Sequence, residues 1–238
     1  MMGRAFSSDL LKIRRKGLWL LAIVAPLGLL AMQALNFGLR YDYFLEQYED
    51  ELWEQLLQYM TYFVSMSVLL GCTLVSSLLA NVEHGTSSWK QLLALPISRS
   101  SVFAAKFALS ALLMAFSCVL LAIGTVVFGL SFGFPLSSMP LWDIVRLSFF
   151  PYLGAMPFLA FLLSMCIMMR NQAMLITIGV TITIVSLFST SAPEWLPLNW
   201  PLFAYLSDKP FWFAAAGIVT GAAVALMGMI RFERKDVA

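Results

Sequence analysis

The chain has 238 residues, of which 61% are hydrophobic and only 12% charged, far from the soluble average of about 45–50% apolar and about 25% charged. A mean hydropathy of +0.84 and several apolar runs of about 20 residues identify an integral membrane protein of about six spans, with no room for a separate soluble catalytic domain. The net charge of +2 is small, so its distribution along the chain carries the information.

At the N-terminus, Arg4, Lys12, Arg14, Arg15 and Lys16 precede an apolar run at 18–37. A signal peptide begins the same way, but this run is too long for a typical apolar core and no small-x-small cleavage site follows it. It reads as a retained first span, entered by an amphipathic interfacial segment with Phe6, Leu10, Leu11 and Ile13. Residues 39–55 are acidic and aromatic, and form a short surface helix or an extension of the second span. Further spans are expected at 56–80, 102–130, 144–169, 173–190 and 211–230. Pro151 and Pro157 predict a kink or break in the fourth. The fifth is rich in Ile, Val and Thr, which lipid tolerates because the environment overrides weak helix propensity. Between the last two spans, Pro193, Pro197, Pro201 and Pro210 alternate with Trp195, Trp200, Phe203 and Tyr205. Prolines forbid one long helix and aromatics suit the headgroup level, so a broken, half-inserted cap is expected. Trp195, Trp200 and Pro201 are its candidate gate residues.

Charge orients these spans. Arg4, Lys12, Arg14, Arg15, Lys16, Lys90, Arg99, Lys106, Arg170, Arg231, Arg234 and Lys235 fall on one side, which is 12 of the 15 basic residues. Only Arg40, Arg146 and Lys209 fall on the other, where most acidic residues gather. The positive-inside rule counts the basic residues and puts both termini in the cytoplasm.

The apolar runs hold almost no groups that do chemistry. There is no HExxH, GxSxG or GxxxxGK[ST], no paired acidic motif within a span, and a single histidine. Neither a catalytic nor a metal site is expected, and ATP hydrolysis is expected in another chain. Cys72, Cys118 and Cys166 are dispersed in apolar runs and read as small packing residues. His84 beside Glu83 reads as an ordinary loop residue, with a proton relay as the sharper alternative. The single GxxxG, at Gly217 and Gly221, permits close helix approach within this chain or between chains.

The polar segment between the second and third spans is different. Glu83-His84-Gly85-Thr86 opens it, and Thr86 or Ser87 can cap a short helix with Trp89, Leu92 and Leu93 on one side. Pro96 ends that helix because it biases Leu95 away from helical geometry. Ser98 then caps a new helix that runs from Arg99 through Lys106 into the third span. From the residues alone, a docking element and a helix floating on headgroups stay equally open.

Glu83-x-Gly85-Thr86, then Leu92-Leu93-x-Leu95-Pro96-x-Ser98-Arg99 and Lys106, resemble the ABC type-2 permease pattern. His84 stands where that family commonly has an acidic residue. The resemblance implies an all-α, six-span permease whose loop is a coupling helix docked on a separate ATPase. Glu83, Gly85 and Thr86 would start that element, Trp89, Leu92 and Leu93 would form its apolar face, and Pro96, Ser98 and Arg99 would set its angle into the third span. Leu10, Leu11, Lys12, Arg14 and Arg15 would form the connecting helix at the membrane surface. Residues 1–238 would then be one permease domain, without a bound cofactor, since ATP and Mg belong to the ATPase. The implied partners are ABC ATPase subunits, a second permease of the same or related sequence, membrane lipid and substrate, with no nucleic acid. By size the chain resembles small bacterial permeases of lantibiotic-immunity and peptide-antibiotic exporters in the cytoplasmic membrane. They would move an amphipathic or hydrophobic substrate, a peptide antibiotic, lantibiotic or similar, outward. A non-transporting scaffold or sensor that binds a partner through the same loop is the other reading.

Overall fold

The computed structural model describes residues 10, 17–41, 44, 46, 51–85, 98–169, 171–188 and 193–234, with backbone alone at 83–85. They form α1 (Leu18–Leu39), α2 (Leu52–Gly85), α3 (Arg99–Ser131), α4 (Leu141–Gly154), α5 (Met156–Met168), α6 (Gln172–Phe188), α7 (Trp200–Leu206) and α8 (Pro210–Arg234). No strand occurs among the described residues.

Four helices, α1, α2, α3 and α8, are long and apolar enough to cross a bilayer, and α4 with α5 makes a fifth candidate bent by 44°. The remaining apolar helix, α6, has 17 described residues. At 1.5 Å per residue it reaches about 25 Å, short of the roughly 30 Å hydrocarbon core. The chain is thus a multi-pass helical membrane protein with four unbroken candidate spans and a bent fifth among the described residues.

The bend has a cause in the sequence. Pro157 lacks the N–H that would bond the Leu153 carbonyl, so α4 stops at Gly154 and α5 restarts at Met156. Ala155 closes the turn between them, donating to the carbonyls of Pro151 (3.0 Å) and Tyr152 (3.1 Å). A second proline, Pro26, lies inside α1 and removes the bond to the Ala22 carbonyl. That carbonyl instead accepts from the Ser117 hydroxyl of α3. In lipid a freed backbone oxygen must find such a partner, so the proline also fixes how α1 meets α3.

α2 is the central helix. Of its apolar window 61% is buried, against 22% for α1 and 28% for α8. It begins at Leu52, so the end of the acidic segment extends the span, and it runs through Glu83–Gly85 without a break. Glu83, His84 and Gly85, where the sequence suggested that the loop opens, continue the helix beyond the candidate span Leu52–Val82. The turn from α5 to α6 is closed by Gln172, whose amide donates to the carbonyls of Cys166 and Met169, both at 3.1 Å, while its oxygen accepts from Ser77 of α2. The bundle has two chemically distinct ends. Arg99, Arg231 and Arg234 mark the basic end, and Glu54, Asp143, Glu194 and Asp208 mark the acidic one.

Candidate coupling site and transmembrane cleft

At the basic end, α2 delivers the polar segment and α3 receives it. Ser98 has extended backbone (φ −64°, ψ 140°), and its hydroxyl accepts from the Ser101 N–H at 3.3 Å, so it caps α3. The next two residues reach across to the end of α8. Arg99 donates from Nη1 to the Glu233 carbonyl at 3.2 Å, and the Ser100 hydroxyl donates to the Glu233 carboxylate. Of the expected coupling residues, the structure places Glu83 and Gly85 on the last turn of α2, and Ser98 and Arg99 at the start of α3. Thr86, Trp89, Leu92, Leu93 and Pro96 lie outside the described residues. So do Leu11, Lys12, Arg14 and Arg15 of the interfacial segment, of which Leu10 is described as helical and exposed.

Two features at this end were not read from sequence. Lys106, expected in the helix that enters the third span, lies two turns into α3 and is only 2% exposed. A charge held inside a membrane bundle is a functional candidate. Glu233 lies in a basic C-terminal stretch and shows no motif; only the arrival of α3 beside it gives it a role.

The acidic end is filled by rings. Phe37 and Phe44 stack at 4.3 Å, and Phe37 meets Phe128 edge-on at 6.0 Å. Trp53 lies edge-on to Phe134 at 5.3 Å, and its indole N–H donates to the Pro135 carbonyl at 3.0 Å. Arg146 of α4 ties down the cap that follows α6. Its Nη2 donates to the carbonyls of Tyr205 (2.6 Å) and Ser207 (3.4 Å), and its guanidinium lies 5.2 Å from the Tyr205 ring. Burial pushes the Tyr205 phenol up to about 12 and nearby Asp143 adds to this, while Arg146 opposes it. The ring therefore stays neutral under the cation.

The three gate candidates separate. Trp195 is 75% exposed, whereas Trp200 is 8% exposed and Pro201 is buried. The Trp200 indole donates to the Glu194 carbonyl at 3.0 Å. Its backbone rests on Gly154, where a Cβ would lie 2.7 Å from the Trp200 oxygen. Trp200 and Pro201 are thus seated on the α4–α5 bend, and Trp195 is not.

Between the two ends, α1, α2 and α3 enclose an apolar cleft of about 230 Å³. Ala22 and Pro26, Val68 and Gly71, and Met114 and Cys118 are among its walls. Ser67, Ser117 and Ser148 supply its polar atoms, and the hydroxyls of the last two already donate to the carbonyls of Ala22 and Ile144. Among the described residues no cluster of His, Cys, Asp and Glu is able to hold a metal ion.

The decisive comparison covers most of this architecture. The family model described as ABC-2 family transporter protein matches residues 5–188. The chain belongs to the ABC-2 transporter family. No curated relative and no solved structure matches it. Membership makes the chain a membrane component of an ABC transporter, a component that is usually not itself catalytic, and implies association with an ABC ATPase. The matched span includes α1 to α6 and the segment between α2 and α3, and stops before the aromatic cap and α8.

Proposed function

We propose that this ABC-2 protein is the permease subunit of a bacterial exporter, with separate ATPases docked on residues 83–99. The observation that supports this reading is where the flanking helices end: α2 stops at Gly85 and α3 starts at Arg99 behind its Ser98 cap, beside the basic end of α8. By the positive-inside rule that end is cytoplasmic, as are both termini, where an ATPase is available to meet it. In this topology α6 is the fifth of six spans, completed across its short length by flanking residues or local bilayer thinning. Two permease chains, identical or related, pair with two ATPases, and the exposed apolar residues of α1 and α6 supply surface for lipid or the second copy.

The substrate is amphipathic or hydrophobic and moves outward. An aliphatic group suits the cleft between α1, α2 and α3, and an ion does not, because its walls offer only three hydroxyls. The absence of a GxxxxGK[ST] motif within these 238 residues is in keeping with permeases of lantibiotic-immunity and peptide-antibiotic exporters, whose ATPase is a separate chain.

Co-expression with candidate ATPases tests the docking role. Deleting residues 88–95, or replacing Glu83 by Ala, is expected to reduce ATPase co-purification by about ten-fold or more, the scale of losing an interface anchor. Unchanged association in both variants rules the role out. Association without any response of the ATPase rate to the permease would instead favour the scaffold reading.

A further inference from the structure

The contact between the start of α3 and the end of α8 breaks a local rule twice. A helix N-terminus carries partial positive charge and a C-terminus partial negative charge. Arg99 is a cation at the N-terminus of its own helix, and Glu233 is an anion in the last turn of its own. Each is misplaced by the field of its own helix and well placed by that of its neighbour. Arg99 covers a C-terminal carbonyl of α8, and Glu233 accepts at the N-terminal turn of α3 through Ser100. Arg99 thus caps a backbone carbonyl at the end of α8, while Glu233 sits at the first turn of α3 and is bound there by a side-chain hydroxyl. Charges that oppose their own helix are retained where tertiary structure uses them.

From this junction α8 runs the length of the bundle with no slack against its neighbours. At Gly228 a Cβ would collide with the Ser164 hydroxyl of α5. At Gly221 it would lie 2.6 Å from the Met156 Cβ, and at Gly217 it would run into the Leu153 carbonyl and lie 2.7 Å from the Gly154 Cα. The GxxxG pair therefore clasps the α4–α5 bend from both sides of Ala155. The opposite side of Gly154 carries Trp200 of the cap. A continuous packed path thus joins residues 98–100 to the cap at the far end of the molecule.

We infer that Arg99, Ser100 and Glu233 form a strut that makes α8 follow α3, so that movement of the 83–99 segment reaches the α4–α5 bend and the Trp200 cap. Glu233 is the positioning residue of this strut, and it touches neither substrate nor nucleotide. The inference rests on the docking reading proposed above, and adds the route by which the ATPase stroke leaves the docking loop.

The test uses the permease–ATPase complex in nanodiscs, with Leu206→Cys as reporter on the exposed side of α7. Its maleimide labelling rate is measured without nucleotide and with ATP plus vanadate. In the parent complex the two rates should differ by about five-fold, the scale of a coupling carried through packed helices. Glu233→Ala should shrink the difference to less than about two-fold with the ATPase still bound. Glu233→Gln keeps an acceptor oxygen for Ser100 but loses the charge, and should restore the difference only in part, because the neutral amide gains less from the α3 N-terminus. Ser100→Ala gives the same reading if Glu233→Ala fails to fold. A full nucleotide response in Glu233→Ala or Ser100→Ala overturns the inference, as does no response in the parent. If deletion of 88–95 leaves the ATPase bound, it is the docking reading that fails, whatever Glu233 does.

Discussion

The two ends of the bundle are closed by different physics. The acidic end is a packed solid of Phe37, Phe44, Trp53, Phe128 and Phe134, with indole and guanidinium donors on backbone carbonyls. Among the described residues the basic end has a single buried ring pair, Phe103 with Phe232 at 6.4 Å, and outside it a few polar side chains at helix termini, Ser98, Arg99, Ser100 and Glu233, all of them exposed or half-buried. Buried rings contribute several kcal/mol each and tolerate little movement, whereas exposed polar contacts contribute about 1 kcal/mol and can be remade. Under the docking proposed above, the end that would meet an ATPase carries contacts of the second kind on its surface, and the far end is built mainly from the first.

Substitutions sharpen or break this contrast, and thermal unfolding in a fixed detergent measures each. Trp53→Ala should have the largest effect, about 3–5 kcal/mol, because it empties the space above Gly129 and orphans the Pro135 carbonyl. Arg146→Ala removes charged donors from the Tyr205 and Ser207 carbonyls and should cost about 2 kcal/mol, loosening the cap first. Ser98→Ala, at the other end, should cost about 1 kcal/mol, the usual worth of a cap. Trp195→Ala should change stability by no more than about 0.5 kcal/mol, since its ring is exposed. A Ser98→Ala loss as large as that of Trp53→Ala would end the distinction between a rigid end and a compliant one.

Much of this was legible in the chain. Pro157 announced the break between α4 and α5, because a missing N–H acts locally whatever surrounds it, whereas Pro151 stays inside α4. Ser98 announced its cap for the same reason, as hydroxyl and N–H lie three residues apart. Less legible was the end of α2. Glu83-His84-Gly85 looks polar enough to leave a helix, yet it continues one, since backbone hydrogen bonding needs no apolar face. Among the gate candidates, Trp195 and Trp200 are alike as sequence, and only the position of Gly154 beneath Trp200 separates them.

By itself, then, the sequence determined the all-helical membrane character, the break in the fourth apolar run, the start of α3 and the charge contrast between the ends. These follow from hydropathy and from backbone chemistry within a few residues. Tertiary structure alone decided which helix is central, and that Ser117 answers the carbonyl freed by Pro26, 95 residues away. It also decided that Gly217 and Gly221 clasp a bend of this same chain, and that Glu233 serves a helix other than its own. The physical reason is common to all of these. Close packing and helix-end electrostatics act between surfaces brought within a few ångströms, and no local pattern records which surfaces will meet.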